Sequence, residues 1–365
     1  MRKLAFFLMF IASVQVIGQT KDTWTTFYNE SEELLGYKNS QGEVMITPRF
    51  TPYMTAYRFD DIAGVNELVN ESYESYYLLK DGTKIGQDSL YIFDNTFDCE
   101  QEGLIRFVNK ETNLVGMFDA KGNVAIPAVY SALSKSNNSL IIGLKNATRE
   151  YWDEGNHSGC NHYSLVGGET VLLTKENKVL IENFDIGDKS IDLYNYKVSE
   201  NPEEHKNTIM FQGTDGQYYY FTDLEAAFDD FVHQELLDDP TIENLLKHSY
   251  LSYYSYDYNK QMPNSLVPTA FLKSNKKTIE KYLKTINGAK KEDYYIRSES
   301  SAPFSFAEVK ELEQYFNNCN EWRMAKYPIL VLGIDSASAL NKKWRNKNLT
   351  FIYLNGQFHL IQVIL

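Results

Sequence analysis

The chain has 365 residues, an ordinary apolar fraction of 43% and a formal net charge of −13. This length suggests two domains, with ample surface to bury a core. The acidic balance argues against nucleic acid as a partner, because a negative protein repels phosphate backbones. Three cysteines are too few for the class of small disulfide-stapled secreted domains, and they allow at most one bridge.

The first residues have the pattern of a secretory signal peptide. Arg2 and Lys3 form a short positive start, an apolar run extends from Leu4 to Val14, and small or modest residues follow up to Gly18. The run is shorter than the ~20 apolar residues that a membrane-spanning helix needs. An apolar first strand is the alternative, although strands are rarely so continuous and so terminal. We therefore expect a signal peptide over residues 1–18 and an exported mature chain, periplasmic or extracellular, with no membrane span.

A pattern then repeats with a period of about 40 residues. Residues 36–50 and 116–130 align, with two glycines six positions apart, then Val at +2, Ile at +4 and an aromatic residue at +8. Each copy predicts a β-hairpin with a positive-φ turn residue and a returning strand that carries Val and Ile on one face. One such hairpin is too small to be stable alone, so we expect neighbours to stack and share a core. The expected turn residues are Gly42, Gly82, Gly122, Asn177 and Gly216.

These units resemble WG repeats, whose pattern runs Trp-Gly-Tyr-Ile-Asp, a turn glycine, Val-Ile-Pro and an aromatic residue. The segment from Phe97 to Phe107 is similar to the Phe…Glu-Gly-Leu-Ala segment that precedes a unit in that family. The resemblance covers residues 36–130, with Leu35 and Val115 in place of the signature Trp. It implies a bacterial interaction or scaffold module without chemistry of its own.

An insertion interrupts the period. Gly122 and Asn177 are 55 residues apart, which places about 15 extra residues near 149–168. Insertions in repeat proteins project from one face, which is often the face that binds. The first domain is thus a repeat domain of stacked hairpins over residues 19–222.

The inserted segment contains a group of metal-ligand residue types. His157, Cys160 and His162 could ligate Zn²⁺ or copper, with a carboxylate from residues 153–154 completing the site. No second ligand pair follows at zinc-finger spacing, so ordinary loop residues are the favoured interpretation. A Cys160–Cys99 disulfide is a further alternative. No metal or other cofactor is therefore predicted.

The hydrophobic period changes after Phe221. Apolar residues recur at helical spacing from Leu224, and further helices are expected near Pro240, Thr278 to Ile286 and beyond Ser305, the last with Cys319 on its buried face. A buried strand and a hairpin around Asn355-Gly356 close the chain. The sequence therefore predicts an α+β domain over residues 223–365. Its order of elements is similar to the cone-shaped nuclear-transport-factor-like folds, which curl a sheet around helices to make a pocket.

No motif of a known catalytic type is found in the sequence. The carboxylate pairs Asp229-Asp230 and Asp238-Asp239 are interpreted as solvated or capping groups, and the basic–aromatic run Lys342 to Lys347 as an exposed loop or a contact for an acidic partner. The 27 tyrosines suit half-buried strands, although aromatic platforms can also stack on sugars.

The main functional prediction is a non-catalytic binding or scaffold protein of the cell envelope or exterior, which binds a protein or envelope glycan on its repeat surface. No catalytic or ligand-binding residue is assigned. One alternative is a hydrolase that acts on envelope polysaccharide or peptide through a site not visible in the sequence. A second alternative is a metal-binding protein that uses the loop 157–162.

Overall fold

The structure is a computed structural model that describes residues 22–152, 162–257, 262–264, 268–299, 310–335, 337–338, 340–344 and 347–364. The expected signal peptide, His157, Cys160 and residues 153–154 lie outside these ranges. The fold is mainly β, with 44% strand and 15% helix. Within the ranges given, no helix has the length and apolar character needed to cross a membrane.

The N-terminal strands form one seven-stranded antiparallel sheet and a small separate hairpin. The strands are β1 (Trp24–Tyr28), β2 (Leu35–Lys38), β3 (Val44–Phe50), β4 (Arg58–Phe59), β5 (Ile62–Val69), β6 (Ser72–Leu79), β7 (Lys84–Ile85), β8 (Ile92–Phe93) and β9 (Thr96–Phe97). The sheet order is β4-β1-β2-β3-β5-β6-β7, and β8 pairs with β9.

The next strands form four small antiparallel sheets. They are β10 (Leu104–Val108), β11 (Val115–Asp119), β12 (Val124–Tyr130), β13 (Ala132–Leu133), β14 (Leu140–Lys145), β15 (Thr148–Tyr151), β16 (Tyr163–Val166), β17 (Glu169–Thr174), β18 (Val179–Ile181), β19 (Lys197–Ser199), β20 (Thr208–Gln212) and β21 (Tyr218–Thr222). The sheet orders are β10-β11-β12, β13-β14-β17-β18, β15-β16 and β19-β21-β20. We call residues 24–222 the hairpin array.

All five expected turn residues lie at hairpin turns with positive φ. In every case the backbone N–H of the turn residue donates to the carbonyl oxygen three positions earlier, at 2.9–3.0 Å. Only residue types that tolerate the left-handed region fit at such turns. The φ angles are 85° at Gly42, 89° at Gly82, 80° at Gly122, 62° at Asn177 and 82° at Gly216.

The hairpins β2–β3 and β11–β12 have the same register with an offset of 80 residues. The pairs Leu35↔Phe50, Tyr37↔Ile46 and Lys38↔Val44 recur as Val115↔Tyr130, Met117↔Ile126 and Phe118↔Val124, with the same irregularities. These β-bulges place Val and Ile on opposite faces, so the expectation of a shared face is wrong. Ile126 is buried, whereas Val44 and Val124 are each 56% exposed.

The bulges also explain a glycine in each of these hairpins. A Cβ atom on Gly116 would lie 2.6 Å from the carbonyl oxygen of Ile126 and 2.7 Å from the ring of Phe107. The corresponding atom on Gly36 would lie 2.5 Å from the carbonyl oxygen of Ile46. No side chain fits at either position without displacing backbone.

The C-terminal part, residues 224–364, combines helices with a six-stranded sheet. Its helices are α1 (Leu224–Phe231), which continues as a π-helical turn (Val232–Leu236), α2 (Ile242–Lys247), α3 (Pro268–Ser274), α4 (Lys276–Asn287) and α5 (Asn341–Trp344), with 3-10 turns at Lys291–Asp293 and Lys310–Tyr315. Its strands are β22 (Ser249–Asp257), β23 (Met262–Asn264), β24 (Tyr294–Glu299), β25 (Ile329–Ile334), β26 (Asn348–Leu354) and β27 (Gln357–Ile364). The order is β23-β22-β27-β26-β25-β24, and β22 runs parallel to β27.

Apolar clusters follow the chain in order. Four clusters lie within the hairpin array, and each is shared by neighbouring strands. One of them joins Ile62 of β5 and Tyr77 of β6 to Ile105 of β10. A separate cluster begins at Leu224 and includes Phe228 of α1 and Phe351 of β26. The hydrophobic core of the C-terminal part thus begins at Leu224, where the apolar residues of the sequence change to helical spacing.

A disulfide joins the hairpin array to the C-terminal part. Cys99 bonds to Cys319 across 220 residues, with a Cα–Cα distance of 6.0 Å. The alternative pairing of Cys99 with Cys160 is therefore wrong. The helical position expected for Cys319 is also wrong. The side chain of Asn317 accepts hydrogen bonds from the N–H groups of Cys319 and Glu321, and these bonds turn the chain there.

Residues 315–327, which we call the strap, also contact the array through hydrogen bonds. The guanidinium of Arg58 donates to the carbonyl oxygens of Phe316 and Asn317, each at 2.7 Å. Lys135 contacts Glu321 at 2.5 Å. The strap is thus fixed to the array at several points besides the disulfide.

A buried ion pair lies in the array close to this contact. Asp98, 5% exposed, accepts hydrogen bonds from the backbone N–H, Nε and Nη2 of Arg106 at 2.8, 3.0 and 2.6 Å. Arg106 also donates to the carbonyl oxygen of Leu133 at 2.9 Å and lies over the ring of Tyr91. Both charges are therefore held by several partners.

Candidate functional site

The inserted segment forms a hairpin of its own. Strands β15 and β16 pair with each other from Thr148↔Val166 to Tyr151↔Tyr163, while β14 pairs directly with β17 on either side of the insertion. This position coincides with the insertion expected near residues 149–168. We call residues 148–152 and 162–166 the aromatic hairpin.

The base of the aromatic hairpin is fixed to the array. Arg149 donates from its guanidinium to the side-chain oxygen of Asn113 at 3.2 Å and to the Asn113 carbonyl oxygen at 3.3 Å. Gly168 has φ +87° at the point where the chain returns, and a Cβ there would lie 2.4 Å from the carbonyl oxygen of Lys145. The hairpin therefore leaves the array at a defined angle.

The described part of the hairpin carries an exposed indole. The indole of Trp152 is 69% exposed, and its Nε1 donates to the hydroxyl of Ser164 at 2.7 Å. Its ring stacks on His162 with a centroid separation of 5.4 Å and an interplanar angle of 20°. The hydrogen bond and the stacking fix the orientation of the indole while most of its surface stays open.

Two tyrosines form a cross-strand pair on the other face of the hairpin, because side chains alternate between the two faces along each strand. Tyr151 and Tyr163 are 49% and 38% exposed, and their ring centroids lie 5.7 Å apart at 62°. The guanidinium carbon of Arg149 lies 4.3 Å from the centroid of the Tyr163 ring. The hairpin therefore exposes aromatic rings on both of its faces, the Trp152 indole on one and the tyrosine pair on the other.

Trp152 differs from the other tryptophans of the chain. Trp24, Trp322 and Trp344 are 6%, 8% and 4% exposed. Trp152 has no predicted role in the sequence, because residue spacing does not indicate whether an indole is buried. The signal that could have found it is the adjacent pair Tyr151-Trp152 inside an insertion.

Of the three predicted metal ligands, only His162 lies within the described ranges. His162 stacks on Trp152, while His157, Cys160 and residues 153–154 lie outside those ranges. Where the structure describes side chains, no group of three or more His, Cys, Asp or Glu residues could hold a metal ion. A metal site in the loop therefore stays a prediction.

Three of the four residues in the two acidic pairs have structural partners. Asp230 contacts Asn207 at 2.5 Å and Lys206 at 2.6 Å. Asp229 lies 3.7 Å from Nε2 of His233. Asp239 accepts the hydroxyl of Thr241, which is the N-cap of α2. The helix thus begins slightly later than the Asp-Pro pattern predicted.

The basic–aromatic run is not a surface platform. Trp344 is buried and packs against Tyr282 with ring centroids 5.3 Å apart. The interpretation of this run as an exposed loop is therefore wrong for Trp344, because its indole completes the core beneath α4. Tyr76, Tyr77 and Tyr220 are also buried, as expected for tyrosines on half-buried strands.

Comparison of the chain with models of known protein families, with curated proteins and with solved structures finds no match.

Proposed function

We propose that this chain is an exported, non-catalytic binding protein that presents the aromatic hairpin to a glycan of the cell envelope or exterior. The observation that carries the proposal is the indole of Trp152, 69% exposed and held in place by Ser164 and His162. An exposed indole costs free energy in water, and a ligand that covers it recovers that cost.

The hairpin array supports a scaffold role of the WG-repeat kind. Equivalent turns recur five times, and the hairpins β2–β3 and β11–β12 share one register. Neighbouring hairpins also share apolar clusters, as units that are unstable alone must do. In such a scaffold the repeats supply rigidity and the insertion supplies the contact surface.

The chemistry of the aromatic hairpin suits a sugar ring. A pyranose presents an apolar C–H face that can cover a flat aromatic ring, and its hydroxyls need hydrogen-bonding groups at the rim. On the same face as the Trp152 ring, the hairpin offers the polar groups of Glu150 and Ser164. The formal charge of −13 favours neutral or basic glycans over polyanionic ones.

Binding of soluble oligosaccharides, followed through tryptophan emission, tests this proposal. Oligosaccharides that the protein retains on a glycan array are titrated against the wild type and the Trp152→Ala variant. We expect a saturable emission change in the wild type. Isothermal titration calorimetry, which does not depend on the indole, should show at least a tenfold loss of affinity in the variant. Because the other three tryptophans are buried, the emission change should arise from Trp152.

Tyr73→Ala is the matched control, because Tyr73 is an aromatic residue of β6 that is 68% exposed and lies outside the aromatic hairpin. It should bind as the wild type does. Equal affinity of the wild type and Trp152→Ala would refute the proposal, and so would a failure of the wild type to retain any glycan.

A further inference from the structure

A concave site lies in the C-terminal part, away from the aromatic hairpin. A cleft of about 490 Å³ opens between α1 with its π-helical turn, the end of α2 and the turn of the β26–β27 hairpin. Its volume falls within the ~300–1,000 Å³ of small-molecule sites. The residues that line it come from positions 227–248 and 353–359, so the sequence alone gives no sign of it.

The floor of the cleft is aromatic and preformed. Phe231, Tyr353 and Phe358 line it, and they are only 7%, 8% and 6% exposed. The Phe358 ring lies 5.3 Å from that of Phe231 and 4.9 Å from that of Tyr353. These rings belong to the core, so the floor keeps its shape whether or not a ligand is present.

Two histidines line the cleft. The backbone N–H of Leu360 donates to the carbonyl oxygen of His248 at 2.7 Å, which fixes the end of α2 against β27 beside His359. The ring of His248 meets that of Phe231 edge to face at 4.9 Å. Its Nε2 lies 3.9 Å from the carboxylate of Glu235.

Both histidines favour the neutral form. Burial lowers the pKa of His248 below its ordinary value, against the opposing effect of Glu235. Burial, with His248 as a second cause, lowers the pKa of His359 as well. A neutral imidazole has one donor and one acceptor nitrogen, and the amides of Gln234 and Gln357 on the same rim also offer both functions.

The remaining charges of the cleft are balanced. Lys247 and Glu235 carry opposite signs at the rim. Asp230, the other acidic residue of the lining, contacts Lys206 at 2.6 Å and Asn207 at 2.5 Å. The cleft therefore has no excess of positive charge that would select an anion.

We propose that this cleft binds a neutral, hydroxyl-rich small molecule, of the size of one or two sugar rings, through hydrogen bonds with His248 and His359. A hydroxyl group both donates and accepts, which matches the imidazoles and amides of the rim. The apolar face of a sugar ring matches the aromatic floor. This site is independent of the proposed role of the aromatic hairpin, since it lies on different elements.

Histidine ring resonances in NMR spectra of the full chain provide the test. Neutral mono- and disaccharides are titrated in at neutral pH, together with a uronic acid as the charged probe. We expect the resonances of His248 and His359 to shift together and saturably with a neutral sugar. Those of His205 and His233, which do not line the cleft, should stay unchanged.

Substitutions then assign the binding to the cleft. His248→Gln and His359→Gln should each weaken binding at least tenfold, and His233→Gln is the matched control that should bind as the wild type does. Gln357→Ala, at an exposed rim position, should weaken binding several-fold without affecting the fold, so the test holds even if a histidine variant is unstable. Trp152→Ala should leave this binding unchanged, which separates the outcome from that of the aromatic hairpin.

Three results would overturn the proposal. The first is that no neutral sugar shifts the ring resonances of His248 and His359 together. The second is a preference for the uronic acid over neutral sugars. The third is wild-type affinity in both histidine variants and in Gln357→Ala.

Discussion

Removal of the disulfide should destabilise the protein strongly, because it closes a very long loop. The chain-entropy relation assigns ~4.7 kcal/mol to a closed loop of ~100 residues, and its logarithmic dependence raises this to about 5 kcal/mol for the 220 residues between Cys99 and Cys319. The total stability of a native domain is about 5–15 kcal/mol. The double variant Cys99→Ala, Cys319→Ala should therefore lose a large part of its free energy of unfolding. Residual structure in the unfolded chain makes this an upper value.

Guanidinium unfolding followed by far-UV circular dichroism measures this loss, and Cys160→Ser is the matched control because it leaves the bond intact. Thiol titration of the denatured, unreduced protein should find one thiol in the wild type, none in Cys160→Ser and two in Cys99→Ala. The strap contacts of Arg58 persist in the double variant, so the loss should come from the unfolded state. Two thiols in Cys160→Ser would refute the assigned pairing. A loss below ~1 kcal/mol in the double variant would refute the loop argument.

Three other expectations concern stability. Gly116→Ala should lower the free energy of unfolding by about 1–3 kcal/mol in chemical denaturation, because the added Cβ would lie 2.6 Å from a carbonyl oxygen. Its control Gly288→Ala should be nearly neutral, because the added Cβ would meet nothing nearer than 3.7 Å. Asp98→Asn should cost about 3 kcal/mol because it leaves a buried guanidinium without its counter-ion, while Asp88→Asn at a fully exposed side chain should show no measurable loss. The lowered pKa of His248 means that the folded state binds fewer protons than the unfolded state, so the free energy of unfolding should fall as the pH drops below 6.5. In thermal melts from pH 7.5 to 5, the His248→Gln variant should show a shallower fall.

The turns were predictable because their cause is local. A positive φ restricts position 42 to few residue types, and the same restriction acts at Asn177, so spacing alone locates both turns. The change to a helical core at Leu224 was likewise visible, since periodicity reports which face of an element is buried. The opposed faces of Val44 and Ile46 were not predictable, because a bulge inserts one residue without a fixed sequence signal.

Features that depend on tertiary docking were missed. The sequence predicted that Cys319 continues the amphipathic helix that begins beyond Ser305. The side chain of Asn317 instead competes for the backbone N–H groups that a helix would use. The approach of His248 to His359 depends on a parallel pairing between strands that are far apart in sequence. No pattern within a short window records such an approach, and both candidate sites became visible only from the packed elements.

The disulfide and strap change how an array of hairpins can come apart. In a linear stack each unit contacts only its neighbours, so the terminal units fray first and the rest follow one at a time. Here the sheet that contains β1 to β7 packs against Cys319, and Cys319 is bonded to Cys99 just after that sheet. The N-terminal sheet is thereby tied to a part of the chain that follows the hairpin array. Fraying of the N-terminal sheet therefore has to break its contact with Cys319 as well as its contacts with neighbouring hairpins.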